Sequence, residues 1–260
     1  MRRLIIEEPK SAAALWSWRL ALFALAVAAI GIGIGIARAA PAEILSGLSV
    51  LAAAFLVACA SLLFAATGAV IIWRTGRGGF AAVVGAVVVS GLFLAYPAWL
   101  AVQSVRLPLM NDISTDLTDP PAFSRSSAAL AARGPRTPSD TPETARDDQR
   151  RAYPNVQPII LDLEADEAYR LVLQAATARG WRIIDQTRPG GRSGVGRIDA
   201  VDRSLILGFP EDVTIRVRPL AGQTRIDIRS ASRYGRHDFG TNAARIARFA
   251  QELQTQLDAR

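Results

Sequence analysis

Cysteine and histidine are almost absent from this chain of 260 residues, which holds one of each, Cys59 and His237. One cysteine cannot form an intramolecular disulfide, and together with one histidine it cannot assemble a thiolate zinc site. Carboxylates remain, but the loosely spaced Asp112, Asp116 and Asp119 lack the glycine and terminal glutamate of a calcium loop. The sequence therefore predicts no metal site and no cofactor.

Charged side chains are missing from three long apolar stretches, at residues 20–37, 44–73 and 78–105. Each reaches the length that a helix needs to cross a hydrocarbon layer about 30 Å thick. We predict three transmembrane helices within residues 20–105, at about 20–37, 48–71 and 80–103. Because no ionisable side chain lies at mid-membrane, the spans do not resemble those of an ion or proton transporter.

Arginine and lysine near the spans predict the orientation. Six basic residues fall on one side of the membrane: Arg2, Arg3, Lys10, Arg19, Arg74 and Arg77. Arg38 and Arg106 fall on the other side. This count places the tail at 1–19 in the cytoplasm and the C-terminal domain in the periplasm or otherwise outside, in a multi-pass protein of the cell (inner) membrane. Cleavage by signal peptidase after Ala39 is an alternative that leaves two spans and the same orientation.

Small residues within the first span indicate close helix packing. Gly31 and Gly35 are four residues apart and lie on one helix face. They suit either oligomerisation or packing inside one three-helix bundle, and both interpretations remain open.

The polar part of the chain lacks a basic excess. Residues 111–260 hold 22 basic and 20 acidic side chains, which argues against nucleic acid as the partner. Residues 106–155 are proline-rich, show no apolar periodicity and are predicted to be an extended connection. The soluble domain is predicted at 156–260.

Apolar periodicity in that domain alternates between strand and helix. We predict helices at 164–179 and 239–257, strands at 156–163, 181–187, 197–202 and 205–209, and a hairpin over 213–229. Hairpin connections imply an antiparallel sheet with two helices on one face, an α+β fold. Opposite the core, a stripe formed by Arg216, Arg218, Arg225 and Arg229 is predicted to be solvated or to contact anionic headgroups or an envelope polymer.

The densest polar cluster lies between the last strand and the last helix. Candidate ligand-binding residues are Arg229, Ser230, Ser232, Arg233, Arg236, His237, Asp238, Asn242 and Arg245. Arginines beside a helix N-terminus can hold a phosphate or carboxylate. Alternatively, the same residues form a corner tied by Arg–Asp pairs, with Asp238 or Thr241 capping the helix. A hydrolase using Ser230, His237 and Asp238 is a further alternative, although no nucleophile-elbow G-x-S-x-G sequence is present.

Several motifs resemble one known family. They are Asn111–Asp116, Asp119–Phe123, Tyr153-Pro154, Gly180-Trp181, Gly208–Val213 and Arg229–Gly240. Together they are similar to the family named domain of unknown function 1499, over about residues 111–258. The resemblance implies N-terminal membrane spans, which are common in that family, but it brings no reaction, ligand or catalytic residue.

The leading hypothesis is a non-enzymatic membrane protein whose outward-facing domain binds an envelope partner or an anionic ligand. A periplasmic hydrolase and a non-catalytic subunit of a membrane complex are the alternatives. The predicted partners are the lipid bilayer and either an anionic envelope component or another membrane protein.

Overall fold

The computed structural model describes residues 9–37, 41–134, 143–191, 194–204 and 208–259. The chain divides into two compact units near residue 102. The first unit is built from three long helices, α1 (Ala12–Ala37), α2 (Pro41–Thr75) and α3 (Phe80–Arg106). Each is long and apolar enough to cross a membrane. The predicted three-helix anchor is therefore confirmed, although α1 begins eight residues earlier than the predicted span.

Serine side chains link the three helices in their interior. Ser61 Oγ on α2 donates a hydrogen bond to the backbone oxygen of Ser17 on α1, over 2.9 Å. Ser90 Oγ on α3 donates to Ser61 Oγ over 3.0 Å. All three serines are buried. Because lipid tails offer no hydrogen-bond partner, these bonds contribute to helix association.

Small residues bring α1 and α2 close together. A Cβ atom on Gly47 of α2 would lie 3.0 Å from the backbone oxygen of Gly31 and 3.4 Å from the backbone nitrogen of Gly35. The two glycines of α1 therefore pack within one chain, as in the bundle interpretation. Oligomerisation through Gly31 and Gly35 stays a prediction.

The second unit is an α+β domain. Its elements are β1 (Asp112–Ser114), α4 (Ser127–Arg133), α5 (Glu143–Ala152), β2 (Ile159–Leu161), α6 (Ala165–Ala178), β3 (Arg182–Thr187), β4 (Gly196–Arg203), β5 (Pro210–Pro219), β6 (Thr224–Ser232) and α7 (Thr241–Asp258). The strands form one sheet in the order β1-β6-β5-β4-β3, and β2 also pairs with β6. All pairs are antiparallel, so the predicted fold class is confirmed. Residues 205–207 of the predicted strand at 205–209 lie outside the described residues.

One face of the sheet, here called the inner face, packs against α6 and α7. Val213, Ile215 and Val217 on β5 alternate with outward polar residues, as strand geometry requires. They join the apolar side chains of both helices in one core, with Leu171, Val172, Ile246, Phe249 and Leu253. Trp181 stacks on Phe249 with ring centroids 5.1 Å apart.

The opposite, outer face is covered rather than solvated. Arg229 is 3 % exposed and Asp227 is fully buried. Residues 116–133, which follow β1, contact this face, where Arg216 pairs with Asp116 at 3.3 Å and with Asp119 at 2.7 Å. The predicted solvated basic stripe is wrong for Arg216 and Arg229, because the preceding segment covers them with its own carboxylates. Arg218 and Arg225 keep 34 % and 29 % of their side-chain surface exposed.

Asp227 is the centre of this charge array. Its carboxylate accepts hydrogen bonds from Arg216, Arg218 and Arg225. Burial alone would raise the pKa of Asp227, but the three guanidinium groups hold it below its usual value. Three arginines beside Asp116, Asp119 and Asp227 make a balanced array instead of an anion-binding surface.

The segment predicted as an irregular connection, 106–155, contributes β1, α4 and α5 to the domain. Ile113 of β1 is fully buried in the core. The side chain of Gln149 on α5 accepts from the Ser114 backbone nitrogen at 3.0 Å and donates to its oxygen at 2.6 Å. One inward-facing residue in a three-residue strand creates no periodicity, so sequence reasoning missed this element.

Candidate functional site

The inner face of the sheet turns polar at one end. Asp202 on β4 lies opposite Glu211 on β5, and Glu211 lies opposite Ser232 on β6. Ser230 comes two residues before Ser232 and therefore points to the same face. Four polar side chains on three neighbouring strands thus replace the valines and isoleucines that form the rest of this face.

The start of α7 packs over this polar end. Asp238 accepts hydrogen bonds from the backbone nitrogens of Gly240, at 3.0 Å, and Asn242, at 2.9 Å. These bonds satisfy amides that have no partner within the helix. Gly240 precedes the helix with φ at +83°, a conformation that glycine adopts without strain. Asp238 therefore caps α7, as one of the sequence interpretations predicted.

Arg245 ties α7 to the strands. Its Nη1 donates to Ser230 Oγ at 3.1 Å and to Asn242 Oδ1 at 2.7 Å. Its Nε donates to Asp202 at 2.6 Å. Ser230 Oγ also donates to Asn242 Oδ1 at 2.8 Å. We call this set, with Glu211, Ser232 and Asp238, the α7 polar site.

Glu211 has the one unsatisfied oxygen of the α7 polar site among the described residues, Oε2. Its side chain is 93 % buried, since only 7 % of its surface is exposed, and Nη1 of Arg245 lies 3.9 Å from its Oε2. That separation exceeds hydrogen-bonding distance. Among the described residues, Oε2 accepts no hydrogen bond. A buried acceptor without a donor is costly in free energy, so it requires an explanation.

Burial raises the pKa of Glu211 to about 7, because the carboxylate loses its hydration. Arg245 and Ser232 oppose this rise, whereas the negative charges of Asp238 and Asp202 add to it. A carboxyl group with this pKa exists in both protonation states at neutral pH. Such groups are enriched at functional sites.

Tyr153 supplies a second unsatisfied group near the same helix terminus. A Cβ on Gly240 would lie 3.5 Å from Tyr153 Oη. Within the described part of the chain, this hydroxyl has no hydrogen-bond partner. Burial and the charge of Asp238 raise the pKa of Tyr153 to about 12, so the phenol stays protonated and can donate.

The predicted site residues separate onto two sides of the sheet. Ser230, Ser232, Asp238, Asn242 and Arg245 belong to the inner α7 polar site, described above. Arg229 and Arg233 face the outer side, because neighbouring residues of a strand point in opposite directions. Arg233 donates to both carboxylate oxygens of Asp212 at 2.8 Å, and Arg236 is exposed. The sequence cluster is therefore not one spatial cluster, and its role in ligand binding stays a prediction.

The Ser230, His237 and Asp238 set does not have the geometry of a nucleophile and its base. His237 Nδ1 accepts from the Phe239 backbone nitrogen at 2.8 Å, and Nε2 contacts the Leu107 oxygen at 3.2 Å. Both ring nitrogens are therefore engaged away from Ser230. Ser230 is itself fully buried. A serine hydrolase needs the ring nitrogen to accept the proton of the hydroxyl.

Metal-ligand geometry is not found in the described ranges. Those residues contain no group of three or more His, Cys, Asp or Glu side chains that could hold an ion. The two carboxylates that act on Glu211 already have hydrogen-bond partners. Asp202 accepts a hydrogen bond from Arg245, and Asp238 accepts hydrogen bonds from the backbone amides of Gly240 and Asn242.

Asp202, Glu211 and Tyr153 were missed from the sequence. The signal for Glu211 was present, because it continues the inward alternation of Val213, Ile215 and Val217. A carboxylate in phase with core valines is unusual enough to single out. The partners of Glu211 come from β4, β6 and α7, and only the folded sheet brings them together.

Residues 112–253 match the model of a protein family of unknown function, DUF1499. The match covers more than half of the chain. The chain belongs to the DUF1499 family. The resemblance drawn from the motifs is thereby confirmed, and the membrane-anchored form agrees with the three apolar helices. No curated protein matches this DUF1499 chain.

Proposed function

We propose that this DUF1499 protein is a membrane-anchored, non-catalytic binding protein. Its three helices hold the α+β domain on the extracytoplasmic side, and the α7 polar site binds a component of the cell envelope. The observation that carries this proposal is the buried Oε2 of Glu211, which accepts no hydrogen bond among the described residues. A bound group that donates a hydrogen bond would satisfy this acceptor.

Surrounding contacts support recognition rather than catalysis. Ser230 and Asn242 bond to each other and to Arg245, so neither is poised to attack a substrate. Asp202 is held by Arg245 at 2.6 Å. These bonds fix the walls around Glu211, which lowers the entropic cost of ordering a site when a ligand binds.

Bidentate pairing of the arginines weakens the case for an anionic ligand at the predicted cluster. Arg233 holds Asp212, and Arg229 holds Asp112 with one N–H···O distance of 2.6 Å. A phosphate or carboxylate ligand would have to displace these carboxylates. A group that donates hydrogen bonds needs no such displacement at Glu211.

Basic residues near the helices support the orientation. Six flank the proposed cytoplasmic side and two the outer side, in line with the positive-inside rule. Alkaline phosphatase fused after Arg260 of the full chain, which is active only outside the cytoplasm, is expected to be active. Activity of a cytoplasmic reporter at the same position, with an inactive phosphatase, would contradict the orientation.

Photo-crosslinking in intact membranes tests the binding role. A photoreactive phenylalanine derivative, which keeps an aromatic ring, replaces Tyr234, two positions after Ser232, or Arg248, an exposed control position on α7. The proposal predicts an adduct at position 234 that is lost in Glu211→Gln, and no such Glu211-dependent adduct at position 248. An adduct at position 234 that forms equally well in Glu211→Gln would contradict the proposed binding role of the α7 polar site.

A further inference from the structure

We infer that the α7 polar site recognises a primary organic ammonium group, held between the Glu211 carboxylate and the aromatic pair Phe209–Tyr234. This inference rests on the proposed function and names the chemical class of the ligand. Three independent features carry it: the charge balance of the site, the unfilled acceptor and the position of the two rings.

Carboxylates outnumber cations around Glu211. Asp202 lies beside it on β4, Asp238 lies before α7, and Arg245 on α7 is the cation that faces them. Arg245 is already shared among Asp202, Ser230 and Asn242. With Glu211 ionised, it and the charged groups that act on it most strongly, Asp202, Asp238 and Arg245, carry three negative charges and one positive charge, so these described groups favour a cation over an anion in this buried setting.

The unfilled acceptor selects for a group with N–H bonds. Oε2 of Glu211 is buried and accepts no hydrogen bond from the residues that the structure describes. An alkylammonium group can donate to it and gain a charge-assisted hydrogen bond. A quaternary ammonium carries the same charge but has no N–H, so it would leave the acceptor unsatisfied.

Phe209 and Tyr234 lie just beyond the ends of the two strands that carry Glu211 and its cross-strand partner Ser232. Phe209 precedes Glu211 by two residues, and Tyr234 follows Ser232, the cross-strand partner of Glu211, by two residues. Their ring centroids are 5.8 Å apart and the rings are tilted by 42°. Both side chains are half-buried. Aromatic faces beside a carboxylate are a recurrent arrangement for binding organic cations.

Two sources carry this chemistry: the ethanolamine headgroup of a phospholipid and a soluble amine. Both present a primary ammonium on a short carbon chain, so the site geometry is the same for each. The experiment therefore uses simple ammonium salts first and separates the sources second.

Hydrogen exchange of the full chain in phosphatidylglycerol nanodiscs tests the inference. Ethylammonium chloride is compared with tetramethylammonium chloride at equal ionic strength, and deuterium uptake is followed over residues 208–234, with α6 as the internal control. Ethylammonium is expected to slow uptake over 208–234 at least twofold, and tetramethylammonium, which lacks N–H groups, to have a clearly smaller effect. Equal effects of the two salts, or an ethylammonium effect that survives Glu211→Gln, would overturn the inference.

A second variant keeps the inference testable if Glu211→Gln fails to fold. Tyr234→Leu keeps the carboxylates and removes one ring, so it should weaken the ethylammonium effect about two- to fivefold. The effect should also grow from pH 6 to pH 8, because a cation binds the ionised carboxyl. Asp202, Asp238 and Arg245 are the other charged groups that act on Glu211, and the Tyr153 phenol, whose pKa is raised to about 12, stays neutral over this range. An effect that weakens toward pH 8 would contradict an ammonium ligand.

Nanodiscs containing phosphatidylethanolamine separate the two sources. If the lipid headgroup occupies the site, these discs protect residues 208–234 without added salt, and ethylammonium adds little. If the ligand is a soluble amine, both disc types respond equally to ethylammonium. Absence of the salt effect while the Glu211-dependent crosslink persists would reject the ammonium class and leave the proposed binding function standing.

Discussion

Arg229 donates hydrogen bonds from Nε and Nη2 to the carboxylate of Asp112, with an Nη2–Oδ2 distance of 2.6 Å. The pair joins β6 to β1 across 117 residues of sequence. The Phe123 ring lies 4.9 Å from the Arg229 guanidinium carbon. The first and last motifs of the family region therefore meet on the outer face, where they attach the segment after α3 to the sheet.

Removing one member of this buried pair should strongly destabilise the domain. Asp112→Asn and Arg229→Leu are each expected to cost about 3–5 kcal/mol, since each removes one charge of a buried ion pair. Arg151→Ala is the matched control, because its pair with Asp148 is exposed and such pairs are worth about 0–1 kcal/mol. Chemical unfolding of the full chain in micelles measures the free energy of unfolding of these variants and of the control. Equal small losses would mean that the Asp112–Arg229 pair does not hold the segment.

Glu211 should make stability depend on pH near neutrality. Its folded-state pKa of about 7 lies above the ordinary value of 4.5, so the folded state binds the proton more tightly than the unfolded state. The resulting stability is fully present below pH 4.5 and is lost as pH rises through 7, up to about 3 kcal/mol. Glu211→Gln should not show this loss.

Unfolding of wild type and variants at pH 5 and pH 8 measures the effect. Glu211→Gln should gain stability relative to wild type at pH 8, and the difference should shrink at pH 5. Glu164→Gln is the same substitution at an exposed position and serves as the control. A parallel pH profile for wild type and Glu211→Gln would show that this carboxyl ionises normally.

Two glycines of the helical unit should respond oppositely to alanine. A Cβ on Gly68 would lie 2.8 Å from the backbone nitrogen of Ala14, whereas a Cβ on Gly33 meets nothing within 4 Å. Gly68→Ala must push α1 and α2 apart and is expected to cost about 1–3 kcal/mol. Gly33→Ala should be neutral or slightly stabilising. Thermal unfolding in detergent compares them, and equal behaviour would contradict this helix packing.

Gln149 should be needed to hold the edge of β1. Its amide bonds both the nitrogen and the oxygen of Ser114, so it acts as a one-residue extension of the sheet. Gln149→Ala should cost about 1–3 kcal/mol, because two buried backbone groups lose their partner. Hydrogen exchange at residues 112–115 should rise. Unchanged exchange there would place the stabilising contact elsewhere.

Sequence patterns predicted the parts of the fold in which many residues repeat one signal. Three charge-free stretches predicted α1, α2 and α3, and the alternation around Val213, Ile215 and Val217 predicted the central hairpin. By contrast, β1 carries one buried residue, Ile113, and its pairing with β6 depends on contacts more than 100 positions away. Local periodicity cannot report such pairing.

In the candidate site, too, local features could be predicted from the sequence, and features that depend on distant contacts could not. Asp238 was predicted as a helix cap from its place before α7, since capping is local. The separation of Arg229 and Arg233 from Ser230 and Ser232 required strand geometry, and it placed two of the nine candidate residues on the outer face. Glu211 stands out only because Asp202 on β4, Ser232 on β6 and Arg245 on α7 lie around it. These three elements come together only in the folded domain.

The protonation state of Glu211 is the most direct test of the α7 polar site. Infrared difference spectra of the full chain between pH 6 and pH 8 should show a protonated carboxyl band that disappears as pH rises. The band should be missing in Glu211→Gln and unaltered in Glu164→Gln. A carboxyl that is already ionised at pH 6, or a band that persists in Glu211→Gln, would contradict the account.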